Sequence, residues 1–261
     1  MSEQKRPFGL WDKIGYMFGD FGNDFSFLFA SNYLMVFYTK VLGLSGFVVG
    51  LLFMGARVVD AFTDVTMGRI VDYMKPAEDG RFRPWLRRMC IPVAVASTAM
   101  YLYFVRDWAY WAKIVYVVIT YLLWSSFCYT AINIPYGSMA SVISSHVKDR
   151  ASLSTFRSIG ASLAGLVIGV LVPLVVYDTD SAGNQIVLPA RFTLTAVVFG
   201  VLAVLCYGLC YWLCQERVFF DKKETKRDSM GEMLRGLGQN KPLLALVFAA
   251  LMLLLASMLS Q

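Results

Sequence analysis

The chain has 261 residues, of which 57% are hydrophobic and 16% are charged, and its mean hydropathy is +0.57. This much apolar surface exceeds what one water-soluble core can hide, so the composition excludes an ordinary soluble domain and indicates an integral membrane protein. The net charge of +6 comes from basic residues in short clusters between apolar runs, a pattern that suits membrane orientation rather than nucleic-acid binding.

Six apolar stretches are long enough to cross a bilayer, which takes about 20 mostly apolar residues. They cover approximately residues 14–38, 46–71, 85–105, 109–143, 153–177 and 192–214. A seventh stretch begins near Leu243 and reaches Gln261. The N-terminal sequence MSEQKRPFGLWDK lacks a short apolar core followed by small residues, so we expect the first span to be retained rather than cleaved as a signal peptide.

These stretches predict an all-α, polytopic membrane protein in three segments. Residues 1–214 form a six-helix bundle, residues 215–241 a central loop, and residues 242–261 an incomplete seventh helix. In the loop, Ser229 and Glu232 match a capping box, which favours a short amphipathic helix on the membrane surface. A solvated connector fits the loop equally well.

Lysines and arginines cluster before the first span and after the second, fourth and sixth spans. The intervening loops hold few positive charges, and the loop YDTDSAGNQ is acidic. The positive-inside rule therefore places the N-terminus and the 215–241 loop in the cytoplasm.

The first span contains a polar stripe within GYMFGDFGNDFSF. Asp20, Asn23 and Asp24 recur at i, i+3 and i+4 among aromatic residues. Carboxylate and amide groups beside aromatic faces suit a sugar, which needs directional acceptors for its hydroxyls and apolar surface for its C–H face. The alternative is a helix end near the cytoplasmic headgroups, which accounts for Asp20 better than for Asp24.

The second span carries paired carboxylates within ARVVDAFTDVTMGRIVD. Asp60 and Asp64 lie one turn apart on the same helix face, with Thr63 beside them. An ionised aspartate at the bilayer centre costs about 2.5–3.5 kcal/mol even on insertion scales, so we expect a compensating partner. These oxygen atoms suit Na⁺ or a shared proton. Pairing with Arg57 is the alternative, but one arginine cannot neutralise two aspartates.

The fourth span contains the sequence CYTAINIPYGS. Its spacing places Tyr129, Asn133 and Tyr136 on one side of a helix, and Pro135 frees a backbone carbonyl near them. The pattern predicts the lining of a polar cavity, and the alternative is hydrogen bonding between helices. The span exceeds the bilayer thickness, so it must tilt, extend beyond the membrane or end near Ile143 after a bend at Pro135.

The fifth span combines one charge with several small residues. Arg157 either anchors the helix at the headgroups or points inward to a carboxylate. Ala161, Gly165 and Gly169 recur every fourth residue, which predicts close packing against a neighbouring helix.

In the sixth span, three cysteines recur every fourth residue at Cys206, Cys210 and Cys214. A site for a soft metal would use such thiols. Without a CxxC pair in a loop, we expect them to act as small residues that let helices approach closely.

Four segments, KIGYMFGDFGNDF, LLFMGARVVDAFTDVTMGRIVD, GRFRPW and YTAINIPYGSM, resemble the glycoside-pentoside-hexuronide cation symporters in order and spacing. This family is the melibiose permease group within the major facilitator superfamily. The resemblance extends from about residue 8 to the end of the chain. It implies symport of a glycoside, pentoside or hexuronide with Na⁺ or H⁺ across a bacterial-type cell inner membrane. Neither a cofactor nor enzyme chemistry is expected.

The resemblance also implies roles for individual residues. Cation ligands would be Asp60, Asp64, Thr130 and Thr63, with the two aspartates as the metal-binding carboxylates. The sugar-binding residues would be Asn23, Asp24, Tyr129, Asn133 and Arg157. A cytoplasmic gate, in which an ion pair breaks for inward opening, would comprise Gly68, Asp72, Arg81 and Arg83.

Three positions depart from the melibiose permease pattern. Thr63 and Asn133 stand where that protein has an asparagine and an aspartate, and Gly137 stands where a tryptophan is expected. The changes at Asn133 and Gly137 count against a galactoside and leave pentosides or hexuronides open.

The resemblance implies twelve helices in two pseudo-symmetric halves, with substrate held between the halves. This chain supplies the first half and part of a seventh helix, so we expect a truncated product or a fragment. Its partners would be a sugar, a monovalent cation, the lipid bilayer and a second chain supplying the other half, but not nucleic acid. The alternative function is a non-transporting membrane subunit or remnant.

Overall fold

The computed structural model describes residues 6–74, 76–77, 79–179, 185–218, 239–242, 244–246, 248–249 and 252. The chain divides into two compact units, Met1–Phe219 and Phe220–Gln261. The predicted amphipathic helix at Ser229 and Glu232, and most of the incomplete seventh helix, lie outside the described residues. Where the second unit is described, nearly all of its residues are helical.

The first unit is built from long helices. They are α1 (Leu10–Val36), α2 (Gly46–Tyr73), α3 (Arg83–Ala99), α4 (Tyr110–Leu122), α5 (Thr130–Ile143), α6 (Val147–Val176) and α7 (Pro189–Leu213). A π-helical segment, Phe37–Val41, follows α1, and a 3₁₀ turn, Tyr103–Asp107, follows α3. Each helix overlaps one of the six predicted spans. Among the described residues, five helical stretches are long and apolar enough to cross a membrane, and they correspond to the second to sixth predicted spans. The first predicted span, α1, is not one of these five, and it carries the polar stripe. That six helices cross the membrane stays a prediction.

The fourth span is one continuous helical stretch, Tyr110–Ile143. It joins α4 to α5 through a seven-residue π-helical segment, Leu123–Tyr129. Pro135 lies inside α5, and the irregular turn lies before it rather than at the proline. Single widened turns of this kind are frequent at functional sites.

A small hairpin joins α6 to α7. Its strands, β1 (Tyr177–Thr179) and β2 (Gln185–Val187), pair antiparallel. The sequence prediction contained no strand here, because three-residue strands are too short to show an alternating pattern.

The central helix α1 packs against both α6 and α7. Against α7, three glycines of α1 meet the three regularly spaced cysteines. A Cβ atom added at Gly15, Gly19 or Gly22 would lie 2.9, 2.8 or 3.2 Å from an atom of Cys214, Cys210 or Cys206, respectively. The prediction that these cysteines allow close approach of helices is therefore confirmed.

The contact between α1 and α6 corrects the predicted packing stripe. Gly160, rather than Ala161, faces α1, and a Cβ atom added at Gly160 would lie 2.6 Å from the backbone oxygen of Met17. Within the predicted stripe, a Cβ atom added at Gly165 would be in ordinary contact with Leu28 of α1, at 3.9 Å. A Cβ atom added at Gly169 would have no described atom within 4 Å. Two stripes of small residues lie one position apart on this helix, and periodicity alone does not say which stripe meets a neighbour.

Replacing Gly160 with alanine is therefore expected to destabilise the bundle by about 1–3 kcal/mol, the cost of overpacking a tight contact. The clash is with backbone, so no side chain can rotate away to relieve it. The measurement is thermal unfolding of the chain in detergent. Gly169→Ala is the matched control and should be neutral or slightly stabilising, since alanine favours helices. Equal effects of the two changes would contradict the packing.

Glu216 and Arg217, which follow α7, form hydrogen bonds with the ends of α1, α3 and α5. Asp12 on α1 is fully buried, and Arg217 donates to its two oxygens at 3.0 Å each. The Arg217 backbone N–H also donates to the carbonyl of Val142, near the end of α5, at 2.7 Å. Buried Glu216 accepts the backbone N–H groups at the start of α3, which are those of Arg81, Phe82 and Arg83.

Candidate functional site

A polar cavity of about 720 Å³ lies among α1, α2, α6 and the helical stretch formed by α4, the π-helical segment and α5. Its polar lining comprises Asp20, Asn23, Asp24, Ser31, Arg57, Asp60, Asp64, Ser125, Thr130, Asn133, Arg157 and Ser158. Its aromatic lining comprises Phe27, Phe53, Tyr121, Trp124 and Tyr129. The cavity therefore brings together all but one of the predicted cation-binding and sugar-binding residues.

Asp60 is buried against the π-helical segment. Its carboxylate accepts hydrogen bonds from Ser126 Oγ at 2.6 Å and from Ser125 Oγ at 2.8 Å. These serines were absent from the predicted site. A pair of hydroxyls inside an apolar span was the available signal, but serine is common between packed membrane helices and so points to no particular site.

The pairing of Asp60 with Arg57 is also present. Arg57 Nη1 lies 3.6 Å from Asp60 Oδ2, but the arginine side chain is 65% exposed. Asp64 accepts a hydrogen bond from Thr130 Oγ1 at 2.7 Å, and within the described ranges it forms no ion pair. Pairing with Arg57, the alternative to a cation site, thus accounts for the carboxylate of Asp60 but not for that of Asp64.

Thr63 is the predicted cation-binding residue that does not line the cavity. Its hydroxyl lies 3.2 Å from the carbonyl oxygen of Val59 and 3.1 Å from that of Asp60. The threonine hydroxyl is therefore engaged with the backbone of its own helix, a common arrangement for threonine inside helices. A role for Thr63 as an ion ligand stays a prediction.

The wall formed by α1 and α5 carries the predicted sugar-binding groups. Asn23 accepts a hydrogen bond from Tyr207 Oη at 2.7 Å, and its Nδ2 lies 3.5 Å from Asn133 Oδ1. Asp24 is half-buried and has no hydrogen bond or ion pair within the described part of the chain. Tyr207 was not among the predicted site residues, because nothing in the pattern of the sixth span relates it to α1.

The position of Arg157 decides between two alternatives left open by the sequence. Its Nε donates to Asp20 Oδ1 at 2.8 Å, and Asp20 is buried. Arg157 therefore points inward to a carboxylate instead of anchoring the helix at the headgroups. The same contact explains how Asp20 is tolerated in the interior, since a buried charge needs a partner.

Tyr136 does not lie with Tyr129 and Asn133 on the cavity wall, contrary to the prediction. It is fully buried, stacks on Tyr16 with ring centroids 4.7 Å apart, and donates to the Tyr16 carbonyl at 2.6 Å. Residues three apart on a helix diverge by about 60°, which is enough to move one of them from a cavity wall to a helix–helix contact.

The four predicted gate residues lie outside the cavity lining, around the connection between α2 and α3. Arg81 Nη2 lies 3.8 Å from Asp72 Oδ1, so the predicted ion pair between helix ends is present. Arg83 donates to the carbonyl of Tyr211 at 2.7 and 3.1 Å. A Cβ atom added at Gly68 would have no atom of the described residues within 4 Å. Opening of a gate at these residues stays a prediction.

Comparison with known proteins identifies the family of this chain. The family model for MFS/sugar transport proteins matches residues 15–261. The chain is 32% identical over 248 residues to an uncharacterized symporter of Bacillus subtilis, YjmB, covering 94% of this chain and 52% of that protein.

Two further relatives are named for what they carry. A glucuronide carrier protein homolog of Escherichia coli is 30% identical over 244 residues, covering 94% of this chain and 51% of that protein. The isoprimeverose transporter of Lactiplantibacillus pentosus is 30% identical over 242 residues, which cover 91% of this chain and 48% of that protein. The chain therefore spans about half the length of these relatives.

Proposed function

Because the chain belongs to the MFS/sugar transport protein family, we propose that it serves the symport of a glycoside, pentoside or hexuronide with Na⁺ or H⁺. The chain has a partial major facilitator fold and is a multi-pass membrane protein of a transporter family, not an enzyme. Its relatives include the glucuronide carrier homolog and the isoprimeverose transporter, whose named substrates support a sugar conjugate as cargo.

The observation that carries the proposal is the arrangement of the polar cavity. Asp60 and Asp64 project into it from α2, while Asp24 and Asn133 lie on the wall formed by α1 and α5. Carboxylate and hydroxyl oxygens are the ligands that hard cations prefer. Asp24 offers acceptors for sugar hydroxyls, and Phe27 and Tyr129, whose rings stack on each other with centroids 5.5 Å apart, add apolar surface to the cavity lining.

The same geometry supports coupling between the two ligands. Thr130 joins the carboxylate of Asp64 on α2 to α5, and Asn133 lies one turn further along α5. A cation held at Asp60, Asp64 and Thr130 would fix α2 against α5 and so order the sugar-binding wall. Since each ligand favours the same arrangement, each raises the affinity for the other by the same factor.

The remaining parts of the proposal concern the whole transporter. The N-terminus would lie in the cytoplasm of a bacterial-type cell, with the chain in the inner membrane. A second half, supplied by further sequence or by a second chain, would close the cavity and allow alternating access. The ion pair between Asp72 and Arg81 would open during that movement.

The test is sugar binding by the chain in lipid nanodiscs. p-Nitrophenyl β-D-glucoside, β-D-xyloside and β-D-glucuronide are titrated with and without Na⁺, at neutral and acidic pH, by calorimetry. At least one sugar should bind more tightly when Na⁺ or H⁺ is supplied. If no sugar binds, or if the sugar dissociation constants do not change with Na⁺ or pH, the result would favour the alternative of a non-transporting membrane subunit.

Asp24→Asn should weaken binding of that sugar by about 10- to 100-fold, because hydrogen bonds to a charged acceptor are worth about 1.5–3 kcal/mol. The readout is the dissociation constant in the same titration. Asp178→Asn, in the hairpin, is the control and should bind like the wild type. A D24N protein with unchanged affinity would contradict the placement of the sugar.

A further inference from the structure

We propose that Tyr207 is a positioning residue that sets the direction of hydrogen bonding in the substrate cavity, so that Asn133 presents its amide N–H groups to the sugar. The inference rests on the sugar-binding function proposed above. Tyr207 belongs to α7, which contributes none of the described lining residues of the cavity. It acts on the cavity wall through Asn23 of α1.

The direction of the first hydrogen bond follows from burial. Tyr207 Oη lies 2.7 Å from Asn23 Oδ1, and both residues are only 1% exposed. A phenol can donate or accept. Within the described part of the chain, however, Asn23 is the sole hydrogen-bond partner of this hydroxyl. If the hydroxyl accepted, its proton would be buried without an acceptor, which carries the full cost of desolvation. Tyr207 therefore donates.

That bond fixes the side-chain amide of Asn23. With its oxygen turned to Tyr207, its Nδ2 group faces Asn133, whose Oδ1 lies 3.5 Å away. This distance is at the outer limit of a hydrogen bond, so the shorter contact with Tyr207 decides the orientation. A reversed Asn23 would place its own oxygen against the oxygen of Asn133 and leave the Tyr207 proton unsatisfied.

The orientation of Asn23 in turn fixes the side-chain amide of Asn133. Its Oδ1 is turned toward Asn23, so its Nδ2 group is free for a ligand in the cavity. Within the described ranges, this Nδ2 group has no protein partner. Asp24, on α1, can only accept while ionised. The cavity thus offers the sugar an acceptor at Asp24 and a donor at Asn133, and the substrate atom next to Asn133 is an acceptor oxygen.

A double-mutant cycle tests the proposal, using the p-nitrophenyl glycoside that binds best to the wild-type chain in nanodiscs with Na⁺ present. Tyr207→Phe and Asn133→Ala should each weaken binding by about 10-fold, within the range of coupled pairs. The dissociation constant of the double variant should lie within about 2-fold of that of the single variant that binds sugar more weakly. The reason is that Tyr207 acts only through the side-chain amides of Asn23 and Asn133. When each protein is titrated at a sugar concentration equal to its own dissociation constant, the Na⁺ concentration that gives half-maximal sugar binding should be the same in Y207F and in the wild type.

Tyr101→Phe is the matched control. Tyr101 is also fully buried, but its hydroxyl donates to a backbone carbonyl, that of Phe29, at 3.1 Å. Y101F should bind sugar like the wild type, and Y101F with N133A should bind like N133A alone. A merely structural role for Tyr207 predicts that the effects of Y207F and N133A multiply, and that outcome would overturn the inference. A wild-type chain that binds none of the sugars would instead overturn the proposed function, and the inference with it.

Discussion

Replacing Asp60 with asparagine is expected to abolish the stimulation of sugar binding by Na⁺ or H⁺. Asp60 is the buried member of the carboxylate pair, and the hydroxyls of Ser125 and Ser126 hold its oxygens at 2.6–2.9 Å. An amide lacks the negative charge that balances a cation and cannot take up a proton at neutral pH. Coupling between two ligands is typically worth about 5- to 150-fold in affinity, and we expect this factor to fall to about 1.

The measurement compares sugar dissociation constants with and without the coupling ion, in wild-type and D60N chains in nanodiscs. Sugar binding without the ion should persist in D60N, because Asp24 and Asn133 lie on another wall of the cavity. Asp107→Asn provides the control, since Asp107 is exposed and, among the described residues, its one ion pair is with neighbouring Arg106. Full stimulation in D60N would remove Asp60 from the cation site.

Replacing Arg217 with alanine is expected to destabilise the bundle by about 3–5 kcal/mol, the cost of leaving a buried charge without its partner. Arg217 contacts both oxygens of Asp12, whose side chain is 0% exposed. Without Arg217, the carboxylate of Asp12 keeps one longer ion pair, with Arg6 at 3.4 Å, and hydrogen bonds from the backbone N–H groups of Gly9 and Gln215 at 3.2 Å. Arg217 also donates to the carbonyls of Arg6 and Ile143, which would lose this partner.

Chemical unfolding of the purified chain in detergent gives the free-energy difference. Arg106→Ala is the matched control, because its ion pair with Asp107 is exposed and such pairs are worth at most about 1 kcal/mol. The paired change of Arg217 and Asp12 to leucine should recover part of the loss, since removing both buried charges avoids the unpaired state. If R217A is no less stable than R106A, the buried pair does not hold the helix ends together.

The sequence by itself determined the long helical stretches of the first unit and most of the polar residues that line the cavity. Spans are visible because a bilayer requires about 20 apolar residues in a row, whatever the neighbouring helices do. Carboxylates at Asp24, Asp60 and Asp64 stand out for the same reason, since charges inside such spans are costly and must face a polar interior. Spacing of four residues then placed Asp60 and Asp64 on one helix face.

Only the tertiary structure decided which faces meet. In the folded chain, Gly160 rather than Ala161 makes the tight contact with α1, Arg157 pairs with Asp20, and Tyr207 donates a hydrogen bond to Asn23. Periodicity states which residues share a face, but the rotation and depth of each helix follow from its packing against all the others. The partners in these pairs lie 137 and 184 residues apart in the chain, so no local pattern encodes them.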